Sequence, residues 1–237
     1  MDNATSKTIG IIGGAGPMAG LLLTRKVIEI CQKKYNCAKD ADFPRLILLS
    51  VPFAEMLQPN TENQDEVTVS KQLQEAIRFL LSGSVSYFAV ACNTLHGFLD
   101  DAYTGRLISL ISETERFVAE QQFVNVLVLA TSTSASNKVH DFGVAKQLPR
   151  RQQEAVDKLI ARVLSGDVSS EARKKLKDIV QSLAIQDRSV DAVLLGCTEL
   201  SLLMDGARTD FFGIDIIDPV EIVAKVLCNN IFNNQSS

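Results

Sequence analysis

The stretch VLLGCTEL (residues 193–200) places Cys197 and Thr198 directly after a run of apolar residues. The stretch FAVACNTLHGF (88–98) has the same plan, because an apolar run leads to Cys92 and Thr94 follows closely. Both runs are continuously apolar rather than alternating, which is typical of parallel strands covered by helices on both faces. Two buried strands that each end at a cysteine predict two similar halves, each supplying one thiol.

Short apolar runs alternate with amphipathic stretches along the rest of the chain, which predicts an α/β fold with parallel sheets. Strands are predicted at residues 8–13, 45–50, 87–91, 107–111, 124–130, 191–196 and 212–217. Helical stripes of apolar residues cover 69–80, 156–163 and 172–183. The last helix has the best start signal, with Asp218 as N-cap, Pro219 in the first turn and Glu221 completing a capping box.

The pattern is duplicated, since each half starts with a strand that opens onto a loop of small residues. These loops are GGAGP (13–17) and ATSTSAS (130–136). We therefore expect two parallel-sheet α/β halves related by pseudo-two-fold symmetry, with the active site in the cleft between them. The predicted domains are 1–103 together with 211–237, and 104–210, because the C-terminal helix is expected to pack on the first half.

Composition excludes several classes of protein. The net charge is −4 without a basic cluster, which argues against nucleic acid as a partner. No apolar run approaches the roughly 20 residues of a membrane-spanning helix. The start of the chain lacks a signal-peptide pattern, and its five cysteines include no CxxC pair, so a reduced, cytoplasmic protein is expected. With two histidines and no cysteine cluster, no metal site is predicted.

The first glycine loop permits several interpretations. Gly14, Gly16 and Ala19 match the dinucleotide pattern G-x-G-x-x-A, but the second predicted strand ends in Ser50 instead of an acidic residue that would hold a ribose. Glycines also expose backbone N–H groups to a small carboxylate, and this anion loop is the favoured interpretation. A plain turn is the third.

Cys92 and Cys197 are the candidate catalytic residues. A cysteine between a strand end and a helix start meets free N–H groups and the positive end of the helix dipole, both of which favour the thiolate. Neighbouring Asn93, Thr94 and Thr198 offer short polar groups to a bound carboxylate. The other cysteines are interpreted as buried structural residues: Cys31, Cys37 and Cys228.

Three blocks, IGIIGGAGP (9–17), ACNTLHGF (91–98) and LLGCTEL (194–200), resemble the signatures of the aspartate/glutamate racemase family in order and spacing. Gly13-Gly14 and Glu199 resemble the aspartate-racemase branch. The resemblance implies racemisation of aspartate or glutamate without a cofactor, with Cys92 and Cys197 as opposed bases, in a homodimer. It also implies substrate binding by residues of the loops: Gly14, Gly16, Asn93, Thr94, Thr131, Ser132 and Thr198. Glu199 is expected to orient the substrate ammonium, tune Cys197 or simply start a helix.

The chain departs from the family at the site of side-chain recognition. Family members often carry Pro-Asp-Arg after the second strand, whereas SVPFAEML (50–57) has no arginine. A side-chain carboxylate needs a cationic partner, and the nearest candidate is Lys138, followed by Lys146, Arg150 and Arg151. In the second loop, Thr133 and His140 replace the usual glycine and tyrosine.

Other functions remain open at this point. The same architecture suits a cysteine-dependent isomerase or decarboxylase of small diacids, which needs one nucleophilic thiol. A hydrolase with Cys92 as nucleophile and His96 as base would not need Cys197. A non-catalytic binding protein would need neither cysteine.

Overall fold

The computed structural model describes residues 7–54, 63–99, 103, 105–204, 211 and 213–233, with the side chains of 63–65 excepted. The strands of this part are β1 (Thr8–Gly13), β2 (Arg45–Ser50), β3 (Tyr87–Val90), β4 (Val126–Val128), β5 (Ala145–Lys146), β6 (Ala192–Leu194) and β7 (Asp215–Ile217). Its α-helices are α1 (Pro17–Tyr35), α2 (Asn63–Ser82), α3 (Leu110–Glu120), α4 (Ser132–Ser136), α5 (Arg150–Leu164), α6 (Ser170–Gln186), α7 (Thr198–Met204) and α8 (Pro219–Phe232). None of these helices is both long and apolar enough to cross a membrane.

The strands form two parallel sheets, which confirms the predicted α/β fold. The sheet orders are β2-β1-β3 and β5-β4-β6-β7, and every strand pair is parallel. Each half therefore places its first strand between its second and third strands, so the duplication extends to topology. As a result, the carboxyl ends of β1 and β3 lie side by side, as do those of β4 and β6.

Residues 107–111, predicted as a strand, are not one. Leu107 forms only an isolated parallel bridge with Phe88, and α3 already begins at Leu110. The apolar run contains a helix cap: the Ser109 side chain accepts a hydrogen bond from Ser112 N and so starts the helix. The sequence prediction also missed β5, which is only two residues long.

The C-terminal segment joins the two halves. β7 pairs with β6 in the second sheet, whereas α8 packs both on α1 of the first half and on α3, which lies within the predicted second domain. At one end of the helix pair Tyr35 and Phe232 stack with ring centroids 4.2 Å apart. The predicted helix thus reaches the first half, while the strand before it belongs to the second sheet. The division of the chain into domains stays a prediction.

Asp218 caps α8 and ties it to the second half. Its Oδ1 accepts hydrogen bonds from Val220 N at 2.9 Å and from the Ser201 hydroxyl at 2.7 Å. Glu221, predicted as the other member of a capping box, binds Lys26 at 2.8 Å. Asp218 therefore serves two elements that lie far apart in the chain.

Replacing Asp218 tests this cap. Asp218→Ala is expected to lower the free energy of unfolding by about 1–2 kcal/mol, because a backbone donor and a hydroxyl lose their acceptor. Asp218→Asn keeps an acceptor oxygen and should cost much less. The measurement is urea unfolding followed by circular dichroism, and equal losses in the two variants would contradict the capping role.

Candidate active site

The carboxyl ends of both sheets open onto one cavity of about 300 Å³. β1 leads into the glycine loop and β3 into Cys92, while β4 and β6 lead to Thr131 and Cys197 from the other half. Most of the predicted site residues line this cavity together: Gly14, Gly16, Cys92, Asn93, Thr94, Thr131, Cys197, Thr198 and Glu199. A larger and more open cavity of about 780 Å³ borders Thr94 but contains neither cysteine.

The pKa values of the two thiols in the cavity are raised, contrary to the prediction that their positions favour thiolate. Each cysteine is only 9% exposed, and burial raises the pKa of Cys92 to about 12, with the charge of Glu199 as the second cause. Backbone N–H groups of Thr94 and Leu95 act in the predicted direction, but more weakly. Burial and then Glu199 also raise the pKa of Cys197 well above its ordinary value. Desolvation therefore outweighs the strand-end geometry.

Glu199 is a buried carboxylate in direct contact with a catalytic candidate. Its Oε2 accepts hydrogen bonds from the Cys197 thiol at 2.9 Å and, at 3.4 Å, from the Thr198 hydroxyl. Burial raises its own pKa. Among the predictions for Glu199, contact with Cys197 is the one that this geometry supports.

Two glycines of the first loop provide space for neighbouring chain segments. Gly16 has φ of +83°, and a Cβ there would lie 1.6 Å from Glu199 Oε1. Gly14 has φ of +109°, and a Cβ there would lie 2.0 Å from the carbonyl oxygen of Val51. A side chain at either position would displace the carboxylate or the segment after β2.

Hydrogen bonds between the halves hold the walls of the cavity together. Asn93 Nδ2 donates to the carbonyl oxygen of Gly196 at 2.8 Å, while Asn93 Oδ1 is buried and has no hydrogen-bond partner among the described residues. The hydroxyls of Thr94 and Ser134 share a hydrogen bond of 2.8 Å, and Thr131 Oγ1 donates to Ser134 at 3.1 Å. Ser134 was not predicted individually, although the small-residue loop that contains it was.

Two predicted substrate-binding residues lie outside the cavity. Ser132 turns away, since its backbone N–H binds Asp157 Oδ1 at 2.9 Å and its hydroxyl binds Asp157 Oδ2. Lys138 is exposed and lines two other cavities. The positions of Ser132 and Lys138 near the loop did not predict where their side chains point, because the short helix α4 turns successive side chains to different sides.

The other predicted cations also lie away from the cavity. Lys146 is 4.0 Å from Asp187, and Arg150 is 3.3 Å from Glu154. Arg151 is exposed. None of the three is among the described residues that line the cavity.

The histidines serve structural hydrogen bonds. His96 Nδ1 donates to the carbonyl oxygen of Cys92 at 2.9 Å, and its Nε2 accepts from Leu110 N at 3.0 Å. Because both ring nitrogens are engaged with the backbone, neither is left to deprotonate the thiol of a hydrolase. Burial lowers the pKa of His96 to about 4. His140 Nε2 lies 3.2 Å from the carbonyl oxygen of Gly196, behind the cavity wall.

An apolar part of the lining was not predicted. Phe53 and Ala54 reach the cavity from the segment after β2, and Ile160 and Leu164 reach it from α5. From the sequence, the segment after β2 was notable only because it lacks an arginine, whereas the predicted helical stripe of α5 already included Ile160.

Comparison with known proteins identifies the family of this chain. Residues 12–227 match the profile of the family described as Asp/Glu/hydantoin racemase. The chain is 23% identical over 224 residues to the broad specificity amino-acid racemase RacX of Bacillus subtilis, covering 92% of this chain and 95% of that protein.

Two solved structures of racemases have a similar fold. Aspartate racemase of Picrophilus torridus superposes with a TM-score of 0.73 at 25% identity, covering 95% of this chain and 94% of the other. Glutamate racemase of Francisella tularensis in complex with D-glutamate has a TM-score of 0.67 at 18% identity, covering 97% and 82%. With nearly the whole chain matched, the protein belongs to the Asp/Glu/hydantoin racemase family.

Proposed function

We propose that this protein is an amino-acid racemase that works without a cofactor and uses Cys92 and Cys197 as its two acid–base groups. The observation that supports this most directly is that two thiols, one from each half, line the same buried cavity. Inversion at carbon requires that a proton leave one face and another arrive on the opposite face. A single base would mostly return the proton to the face it came from.

Substrate binding is proposed to activate the thiols. The described lining carries one charged side chain, the Glu199 carboxylate, which raises the pKa of both cysteines. The ammonium group of an amino acid would neutralise that charge and so lower both thiol pKa values. The unpartnered Asn93 Oδ1 offers this ammonium a second acceptor.

Proton transfer then starts from the hydrogen bond between Cys197 and Glu199. Cys197 passes its proton to the carboxylate, and the resulting thiolate takes the α-proton of one enantiomer. Cys92 gives its thiol proton to the opposite face of the planar intermediate, which completes the inversion. After this turnover Cys92 is the thiolate and Glu199 holds the proton that it took from Cys197. The other enantiomer reacts from that form: Cys92 takes its α-proton, Cys197 gives its thiol proton to the opposite face, and Glu199 returns a proton to Cys197.

The intermediate needs stabilisation, because the α-proton of an amino acid is only weakly acidic. Its negative charge develops on the α-carboxylate, which becomes enolate-like. The Thr94 hydroxyl lies in the lining. It can accept a hydrogen bond from Ser134, which itself accepts from Thr131, and this leaves the Thr94 proton for the substrate. Preorganised donors in a water-poor cavity stabilise such charge more than water does.

A diacid isomerase or decarboxylase is the second candidate, and the cavity favours it less. Such a substrate carries two carboxylates without an ammonium group, and the described lining has one carboxylate and no cation. The side-chain carboxylate of aspartate or glutamate, the substrates that the resemblance implies, would likewise find no cation in the described lining. A homodimer and a cytoplasmic location stay predictions.

The two-thiol proposal predicts that each cysteine is needed. Cys92→Ala and Cys197→Ala should each reduce racemisation by about 10²–10⁴-fold, the usual contribution of an acid–base group. The measurement combines NMR in deuterated water, which reports α-proton exchange, with chiral chromatography of the same samples, which reports inversion. Cys37→Ala is the control, because Cys37 is buried but does not line the cavity. Full racemisation by either single cavity variant would refute the mechanism.

The role of Glu199 predicts a change in thiol reactivity with pH. Glu199→Gln keeps the shape that fits against Gly16 but removes a charge that raises the pKa of both cysteines. The thiolate fraction at about pH 8, just below the ordinary thiol pKa, should therefore rise, since the folded-state pKa values fall toward that pH. Iodoacetamide should alkylate both cavity cysteines about threefold faster or more.

Peptide mass mapping assigns the alkylation to each cysteine, and Glu154→Gln on the surface of α5 is the matched control. Unchanged or slower alkylation in Glu199→Gln would show that the carboxylate does not hold the thiols protonated.

A further inference from the structure

We propose that the substrate of this site carries an uncharged side chain, which contacts the apolar lining formed by Phe53, Ala54, Ile160 and Leu164. This inference rests on the proposed racemase function and adds the substrate class to it. It departs from aspartate and glutamate, the substrates implied by the resemblance to the family.

The charges in the cavity favour an uncharged substrate side chain. Glu199 is the charged side chain of the described lining and is 7% exposed. The ammonium group of a zwitterionic amino acid balances it, which leaves the α-carboxylate for the hydroxyls and backbone N–H groups. A side-chain carboxylate would add a negative charge without a cationic partner, and buried charges without partners are strongly disfavoured.

The cations of the described chain are engaged elsewhere or exposed. Lys138 faces other cavities, and Lys146 and Arg150 lie near carboxylates outside the cavity. The stretch 55–62, which continues from the lining segment, contains no lysine or arginine. Arg208 is the one basic residue in the sequence outside the described part.

The apolar lining of the first half is held in place by hydrogen bonds. Val51 N donates to the carbonyl oxygen of Gly13 at 2.9 Å, at the end of β1. Further along, the Gln72 side chain on α2 accepts from Ala54 N at 3.1 Å and donates to the carbonyl oxygen of Pro52 at 3.4 Å. Phe53, between these anchors, therefore meets a substrate as a preformed apolar surface, the usual character of a small-molecule pocket wall.

The decisive experiment compares substrates of equal shape and different charge. Exchange of the α-proton in deuterated water is measured for aspartate with asparagine, for glutamate with glutamine, and for alanine, leucine, methionine and lysine. We expect kcat/KM to be on the order of 100-fold or more higher for each amide than for its acid, with exchange of apolar substrates as well.

The outcomes separate this inference from the function on which it rests. If aspartate or glutamate reacts as well as its amide, or lysine reacts best, the inference is overturned while the racemase function stands. If no amino acid exchanges its α-proton, the proposed function fails and the inference fails with it.

A variant of the lining provides a second readout. Phe53→Ala should raise KM for the best apolar substrate about tenfold through lost apolar contact, with kcat changed less than about threefold. Phe79→Ala on the same half is the matched control, because Phe79 is 61% exposed on α2 and lies outside the cavity. An unchanged KM in Phe53→Ala would show that Phe53 does not contact the substrate side chain.

Discussion

The hydrogen bond from the Cys197 thiol to the buried Glu199 carboxylate is the interaction to which the rest of the site is adapted. A carboxylate at this depth is costly without a partner, and at 2.9 Å the thiol supplies one. Burial raises the pKa of both cysteines, and the same charge raises it further. Gly16 leaves the space that Glu199 occupies. One side chain thereby connects the glycine loop, both thiols and the ammonium group of the proposed substrate.

The duplicated topology explains how two thiols come to share one cavity. Each sheet places its first strand between the second and third, so the strand that ends in cysteine always lies beside the strand that ends in a small-residue loop. The halves are then joined at the cavity itself, where Asn93 binds the carbonyl oxygen of Gly196 and Thr94 binds Ser134. These contacts satisfy buried polar groups of both halves, so separating the halves would leave those groups without partners.

The cysteine positions and most of the lining could be predicted because they depend on local patterns. An apolar run, a cysteine and a threonine mark a strand end whether or not the neighbouring chain is known, and Gly14 and Gly16 follow β1 in the same way. Ser132 and Lys138 could not be predicted, because their directions depend on α4 and on the contact between Ser132 and Asp157 of α5. The strand predicted at residues 107–111 was wrong for a similar reason. The run is apolar, but one serine cap starts α3 within it.

The α/β class, the duplication and the family were predictable from the sequence alone, because each buried strand and each strand-end motif occupies a short stretch of chain. The raised pKa values of the thiols could not be predicted in this way, since the burial that causes them comes from segments distant in sequence. The same holds for the chemical character of the cavity. Phe53 and Ile160 lie 107 positions apart (160 − 53) yet line the same space, and the absence of a cation among the described lining residues becomes visible only when that space is assembled.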